Sequence, residues 1–138
     1  METKKWLSQY RAALREAVEC INELDAVDIA IRSPNMDGMP KGSVKGDNVE
    51  RLAILRLTLE ARVDKARDRA LKIADAINDA IDGLEDSDQR RALRLRYLGG
   101  FSWEQVAMTM NRSVRTIHRL HGQALNELRR ARDEMQDV

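Results

Sequence analysis

Apolar residues in the first 85 positions recur every three or four residues, the spacing of one helix face. A first stripe runs Leu7, Tyr10, Leu14, Ala17, Ile21, Leu24 and Ile31, broken once by Asp28. A second runs Leu52, Leu59, Val63, Ala66, Ala70, Ile73, Ile77, Ala80 and Leu84. Seams with this period pack as coiled coils, because the apolar edge stays turned towards its partner. Between them, Ser33 to Asn48 holds both prolines together with Gly38, Gly42 and Gly46, and is expected to be a loop. A linker of that length lets the second helix fold back antiparallel on the first. Such a pairing places Ala17 near Ala66 and sets Trp6 and Tyr10 beside the far end of the second helix.

The last third has a different rhythm. A helix carrying Leu93, Tyr97 and Leu98 is stopped at Gly99-Gly100, since glycine enters the left-handed region without a Cβ clash. Ser102 then reads as an N-cap, with Gln105 three positions later completing a capping box. The short helix that follows turns Val106, Ala107 and Met110 inward and ends at Asn111, a residue that tolerates the left-handed conformation. Ser113 caps again, and a longer helix runs on. Three residues, Asn111 to Ser113, therefore separate two helices, which is the helix-turn-helix connection.

On a wheel of about 100° per residue, Val114, Ile117, Leu120, His121, Ala124, Leu125 and Leu128 share one side of that last helix. Arg115, His118, Arg119 and Gly122 fall opposite, with Thr116 and Gln123 on the flank. An arginine fork suits guanine edges and phosphates, and a threonine hydroxyl can bond to either. Gly122 lets a backbone approach closely, at a helix-propensity cost of about 1 kcal/mol. The competing reading is a solvated face on an ordinary bundle; the capped turn and its spacing favour duplex DNA.

Charge sharpens the picture. The chain has 138 residues and a net charge of +1, but the charge is not evenly spread. Residues 1–85 carry 14 Lys/Arg against 16 Asp/Glu, whereas residues 86–138 carry 10 arginines against 7 acids. From Arg90 to Arg119 there are seven arginines and one acid, Glu104. Positive charge thus gathers at the turn motif, as attraction to phosphate requires.

The segment RYLGGFSWEQVAMTMNRSVRTIHRLHGQAL resembles the promoter −35-reading domain (region 4) of bacterial sigma factors. It is similar, more closely, to phage and prophage proteins carrying that domain, related to late-gene transcription regulators of the RinA and ArpU type. The carrying motifs are Arg96-Tyr97-Leu98-Gly99-Gly100-Phe101-Ser102-Trp103-Glu104 and His118-Arg119-Leu120-His121-Gly122-Gln123-Ala124-Leu125. A Gly/Met/Pro loop, Met36 to Gly42, extends the likeness into the arm. The relatives often carry aromatics where Val114-Arg115-Thr116 stands here, so target preference does not transfer. The resemblance implies RNA polymerase as a partner. Nothing in the chain looks like a −10-melting domain, which favours an activator or auxiliary factor over a self-sufficient sigma factor.

The expected fold is all-α: an antiparallel two-helix coiled-coil arm over 1–85, with a loop at 33–48, and a helix-turn-helix domain over 86–138. Expected DNA contacts are Arg112, Ser113, Arg115, Thr116, His118 and Arg119, with Ser102 and Trp103 gripping the backbone at a helix start. Two helices alone bury little apolar surface, so the arm is expected to pair with a second copy, as a homodimer through the N-terminal helices, or to dock on the C-terminal unit. The loop is read as a connector, with a partner contact through Met36 and Met39 as the alternative.

Catalysis has little support. The chain lacks a phosphate-binding glycine loop, an HExxH and a CxxC, so neither enzyme activity nor a cofactor is expected. His118 and His121 stand three apart without a third ligand, so no metal is expected either. Lone Cys20 lies on a helical stripe and reads as a packed small residue. With no apolar run near about 20 residues and no signal peptide, a cytoplasmic, nucleoid-associated protein of a bacterial host is expected. Two other classes stay open: a DNA-packaging component of the small-terminase kind, which also joins this motif to a coiled coil, and a protein-only RNA polymerase adaptor.

Overall fold

The computed structural model describes residues 2–32 and 45–136. The elements are α1 (Thr3–Leu7), α2 (Gln9–Arg32), α3 (Lys45–Asp82), α4 (Ser87–Leu93), a π-helical turn (Arg94–Leu98), α5 (Trp103–Met110) and α6 (Val114–Gln136). No strand occurs among the described residues, and the fold is all-α. They divide into two compact units, Ala13–Ala70 and Met1–Ala12 with Leu71–Val138.

The unit Ala13–Ala70 is an antiparallel helical hairpin. Its core joins Ala17 and Cys20 of α2 to Val63 and Ala66 of α3, with Ile21 and Leu24 packed alongside. Glu16 pairs with Arg69 at 3.6 Å and Asp28 with Arg56 at 2.5 Å, so twelve residues forward on α2 correspond to thirteen back on α3. Arg56 also pairs with Glu60. Asp28, the interruption in the apolar stripe, sits on the seam edge and is answered by Arg56 from the opposite helix. Cys20 is a free, buried thiol.

Three expectations for the arm need correction. The buried residues of α2 include Ala13, Cys20 and Val27, while Leu14 and Ile31 are each 42% exposed. Ala13, Ala17, Cys20, Leu24 and Val27 alternate steps of four and three, a true coiled-coil period, and the small residues permit close helix approach. Leu14 stands about 100° away from Ala13 and falls on the flank. The N-terminal helix is also broken: Ser8 separates α1 from α2, its hydroxyl donating to the Lys4 carbonyl at 2.9 Å. Such back-bonding by serine bends helices. Finally, α3 begins at Lys45, so residues 45–48 are helical rather than loop; Asp47 in its first turn favours that start electrostatically. The expectations for Met36 and Met39 fall on residues 33–44, outside the described residues.

In the other unit, two apolar clusters are stitched together by α4 and α6. One holds Leu7, Ile77, Ile81, Leu84, Leu93, Tyr97, Ala124 and Leu128, with Trp6 and Tyr10 against it. The second holds Ala92, Val106, Ala107, Met110, Ile117 and Leu120. Adjacent residues Ala92 and Leu93 thus face different clusters, and α6 gives Ile117 and Leu120 to one and Ala124 and Leu128 to the other. Trp6 also lies under the Arg132 guanidinium, 5.1 Å from its ring centre, tying α1 to α6.

The end of α3 and the start of α4 are secured by polar groups. Asp86 caps α4, accepting from the Asp88 and Gln89 amides at 2.8 and 3.3 Å. Arg90 reaches back to the Leu84 and Glu85 carbonyls at 2.5 and 2.9 Å. Arg94 donates to Asn78 at 3.0 Å and pairs with Asp82.

Leu93 has no solvent exposure and lies where α4 meets both α3 and α6. Leu93→Ala is expected to cost about 2–5 kcal/mol of stability, the range for a poorly relaxing core cavity. Urea unfolding checks this, and a loss under about 1 kcal/mol would show that the site collapses around the deletion.

Candidate nucleic-acid interface

The turn is built by backbone conformations that the sequence supplies locally. Gly100 takes φ +71, the left-handed region. Gly99 is needed for space: a Cβ there would sit 2.7 Å from the Leu95 carbonyl oxygen. The preceding π-helical turn is closed by Gly99 N–H to the Arg94 carbonyl at 2.9 Å, and Phe101 N–H reaches the Leu95 carbonyl at 3.0 Å. A π turn holds one residue more than an α turn, which re-aims Tyr97. No apolar periodicity signals that extra residue.

At the start of α5, the Ser102 hydroxyl accepts from the Gln105 amide at 3.1 Å while the Gln105 side chain accepts from the Ser102 amide at 2.9 Å. This is the expected capping box. Asn111 ends α5 with φ 55 and ψ 47, and the Arg112 amide returns to the Ala107 carbonyl at 3.0 Å. The Ser113 hydroxyl then accepts from the Thr116 amide at 3.1 Å and donates to the Thr116 hydroxyl at 2.9 Å. Both serine hydroxyls are therefore engaged in capping.

The inner side of α6 carries a buried polar pair. Tyr97 and His121 are both buried, with the phenol oxygen 2.7 Å from His121 Nε2. Burial, reinforced by the positive charges of Lys4, His118 and Arg96, lowers the His121 pKa to about 4. The ring is therefore neutral at pH 7. Burial likewise raises the Tyr97 pKa, with the nearby Arg96 charge opposing it. The Trp103 ring stands edge-on to His121 at 4.6 Å, is tilted against His118 at 5.0 Å, and carries the Arg96 guanidinium on its face at 4.6 Å. Arg96 also donates to the Phe101 carbonyl at 3.0 Å.

The outer side of α6 is open. Arg115, His118, Arg119 and Gly122 are exposed and Thr116 is half-buried, as the wheel expects. Arg115, Thr116 and Arg119 border a shallow concavity of about 480 Å³. Arg112 is exposed at the turn but pairs with Asp88 at 3.2 Å. Of the seven arginines between 90 and 119, four are spent inside the domain: Arg90, Arg94, Arg96 and Arg112. The other three of these seven, Arg91, Arg115 and Arg119, are exposed and keep their forks free. The cationic footprint is thus narrower than the residue count suggests, and Arg91 is a free cation that the sequence reading did not single out. Trp103, read as a backbone-gripping residue, also serves as the ring that joins α5 to α6.

No set of three or more ligating side chains suited to a metal occurs among the described residues, and no helix there is long and apolar enough to cross a membrane.

Two helices joined by three residues, the first sealed by a capping box and the second showing an arginine-bearing outer face, define a helix-turn-helix. Residues 80–130 match the family described as Sigma-70, region 4, a DNA-binding domain class. That match takes in the end of α3, all of α4 and α5, and most of α6. Neither a curated protein nor a solved structure matches the chain.

Acid should loosen this domain. In the unfolded chain His121 takes up a proton near pH 6.5, but in the folded state only near 4. Stability is therefore lost as pH falls from about 6.5 to 4, by roughly 3 kcal/mol in all. Urea midpoints across that range check it, and His121→Gln, which keeps a polar partner for Tyr97, should flatten the slope. An unchanged slope in the variant would assign the acid sensitivity to other groups.

Proposed function

We propose that this protein is a sequence-specific DNA-binding transcription regulator of phage or prophage genes, a sigma-like activator or auxiliary factor working near the promoter −35 position. The observation that carries this reading is the pair of unpartnered arginines, Arg115 and Arg119, one turn apart on the exposed face of α6. In a region 4-type domain that helix enters the major groove. Arg115, Thr116, His118 and Arg119 then read base edges or clamp phosphates, with Arg112 exchanging Asp88 for a phosphate. An exposed ion pair of this kind is worth at most about 1 kcal/mol, so the exchange costs little. Ser102, Trp103 and Ser113 lie at the two helix starts and support backbone contact from there.

Function divides near residue 85, with 86–138 facing DNA and RNA polymerase and 1–85 joining two copies. Leu14, Val18 and Ile29 are 42, 45 and 61% exposed on one flank of α2, with half-buried Ile21 between them. A second apolar stripe beside the hairpin seam is what a four-helix pairing of two copies requires. The protein then acts in the bacterial cytoplasm, at the nucleoid.

Binding to duplex DNA across a salt series tests the reading. Affinity should fall steeply with salt, and Arg119→Ala should lose about 1–3 kcal/mol if its fork makes a bidentate base contact. Absence of binding even at low salt would overturn it in favour of a protein-only contact. Separately, the double substitution Leu14→Glu with Val18→Glu should convert a dimer to a monomer in sedimentation while leaving helicity intact. Ring-shaped assemblies of many subunits would instead speak for a DNA-packaging role.

A further inference from the structure

The glycines of the turn-containing unit do not all have the same reason to be there. Gly100 is held at φ +71, and Gly99 has no room for a side chain beside the Leu95 carbonyl. Gly83 lies at the end of α3, where a Cβ would come 3.3 Å from the Ala80 carbonyl oxygen. Gly122 differs from all three. It sits within α6, away from both ends, is exposed, and a Cβ built on it meets no atom within 4 Å. Nothing in the chain's own packing calls for a glycine at this position. Yet glycine is, after proline, the residue least suited to a helix interior, and alanine would fit without strain.

What shares its face gives the reason. At about 100° per residue, Arg115, Arg119, Gly122, Asn126 and Arg129 fall within an arc of roughly 80°, and all five are exposed. Gly122 thus lies about one turn beyond Arg119, on a surface with a free guanidinium before it and Arg129 after it. A bare helix backbone flanked by cations is a surface on which a linear polyanion can lie close. An uncharged or basic partner would gain nothing from those arginines.

We propose that Gly122 is the point of closest approach between α6 and the sugar-phosphate backbone of duplex DNA. Arg115 and Arg119 enter the groove ahead of it, and Gly122 gives up helix stability so that the strand leaving the groove can pass at backbone contact distance. This inference rests on the DNA-binding reading above and adds a residue that acts by absence of bulk. A contact to phosphate rather than to bases carries no sequence preference.

The test is Gly122→Ala in the full chain, measured by thermal unfolding and by binding to a random-sequence duplex and to a duplex selected by the wild-type protein. The melting temperature should rise by roughly 2–5 °C, as expected when alanine replaces an exposed mid-helix glycine. Affinity should fall about tenfold for both duplexes alike, the signature of a lost backbone contact. Gly122→Gln should weaken binding further. If the wild type binds and Gly122→Ala binds equally well, this inference fails while the DNA-binding reading stands. A loss confined to the selected duplex would assign Gly122 to base reading and overturn the backbone contact. A fall in melting temperature would show that the glycine serves the fold and would equally overturn it. Failure of the wild type to bind either duplex sinks both readings together.

Discussion

The orientation of α6 depends on a polar contact beside the apolar clusters, the hydrogen bond between Tyr97 and His121. Tyr97 comes from the π-helical turn after α4, and His121 from the middle of α6, between Leu120 and the Leu125 flank. Apolar packing is non-directional and would tolerate some rotation of α6 about its axis. A phenol and an imidazole in the interior must find each other, because an unpaired buried polar group costs about 1–3 kcal/mol. Trp103 extends this pin to α5, with its ring against both histidines and under the Arg96 guanidinium. Three elements are thereby locked at one angle, and the outer face of α6 is the face left over.

The same cluster explains why charge near the turn divides into two classes. Arg90, Arg94 and Arg96 reach backbone carbonyls or carboxylates within the domain and hold the junction of α3, α4 and α5. Arg115 and Arg119 have no such partners, because His121, Leu120 and Ile117 occupy the opposite side of α6. A guanidinium fork whose neighbours leave it unpaired is available to an external anion without first breaking an internal contact. Arg112 is intermediate, exposed but attached to Asp88.

In the hairpin the controlling constraint is side-chain size. Ala17 and Cys20 on α2 meet Val63 and Ala66 on α3, and Ala13 and Ala70 are buried as well, so the helices approach closely over small residues. Larger side chains are then turned to the flank, and Leu14 and Val18 are left exposed there. The feature that makes the hairpin tight also leaves it with an uncovered apolar edge.

Much of this was legible along the chain. The turn residues Gly99, Gly100, Ser102, Asn111 and Ser113 act through their own backbone preferences and capping bonds, which are local and survive any change of context. The two faces of α6 follow from its period, and so does most of the seam of α3, except that fully buried Ile81 takes the place expected for half-buried Ala80. What no local pattern contains is the partner of each polar group. That Asp28 meets Arg56, that Arg94 is taken by Asn78 and Asp82, and that Tyr97 meets His121 depend on segments 12 to 28 residues apart. The extra residue of the π-helical turn and the shift of the α2 seam from Leu14 to Ala13 likewise arose only when helices packed. Local conformation is decided by neighbours in sequence; which charges remain free, and so which face meets a partner, is decided by neighbours in space.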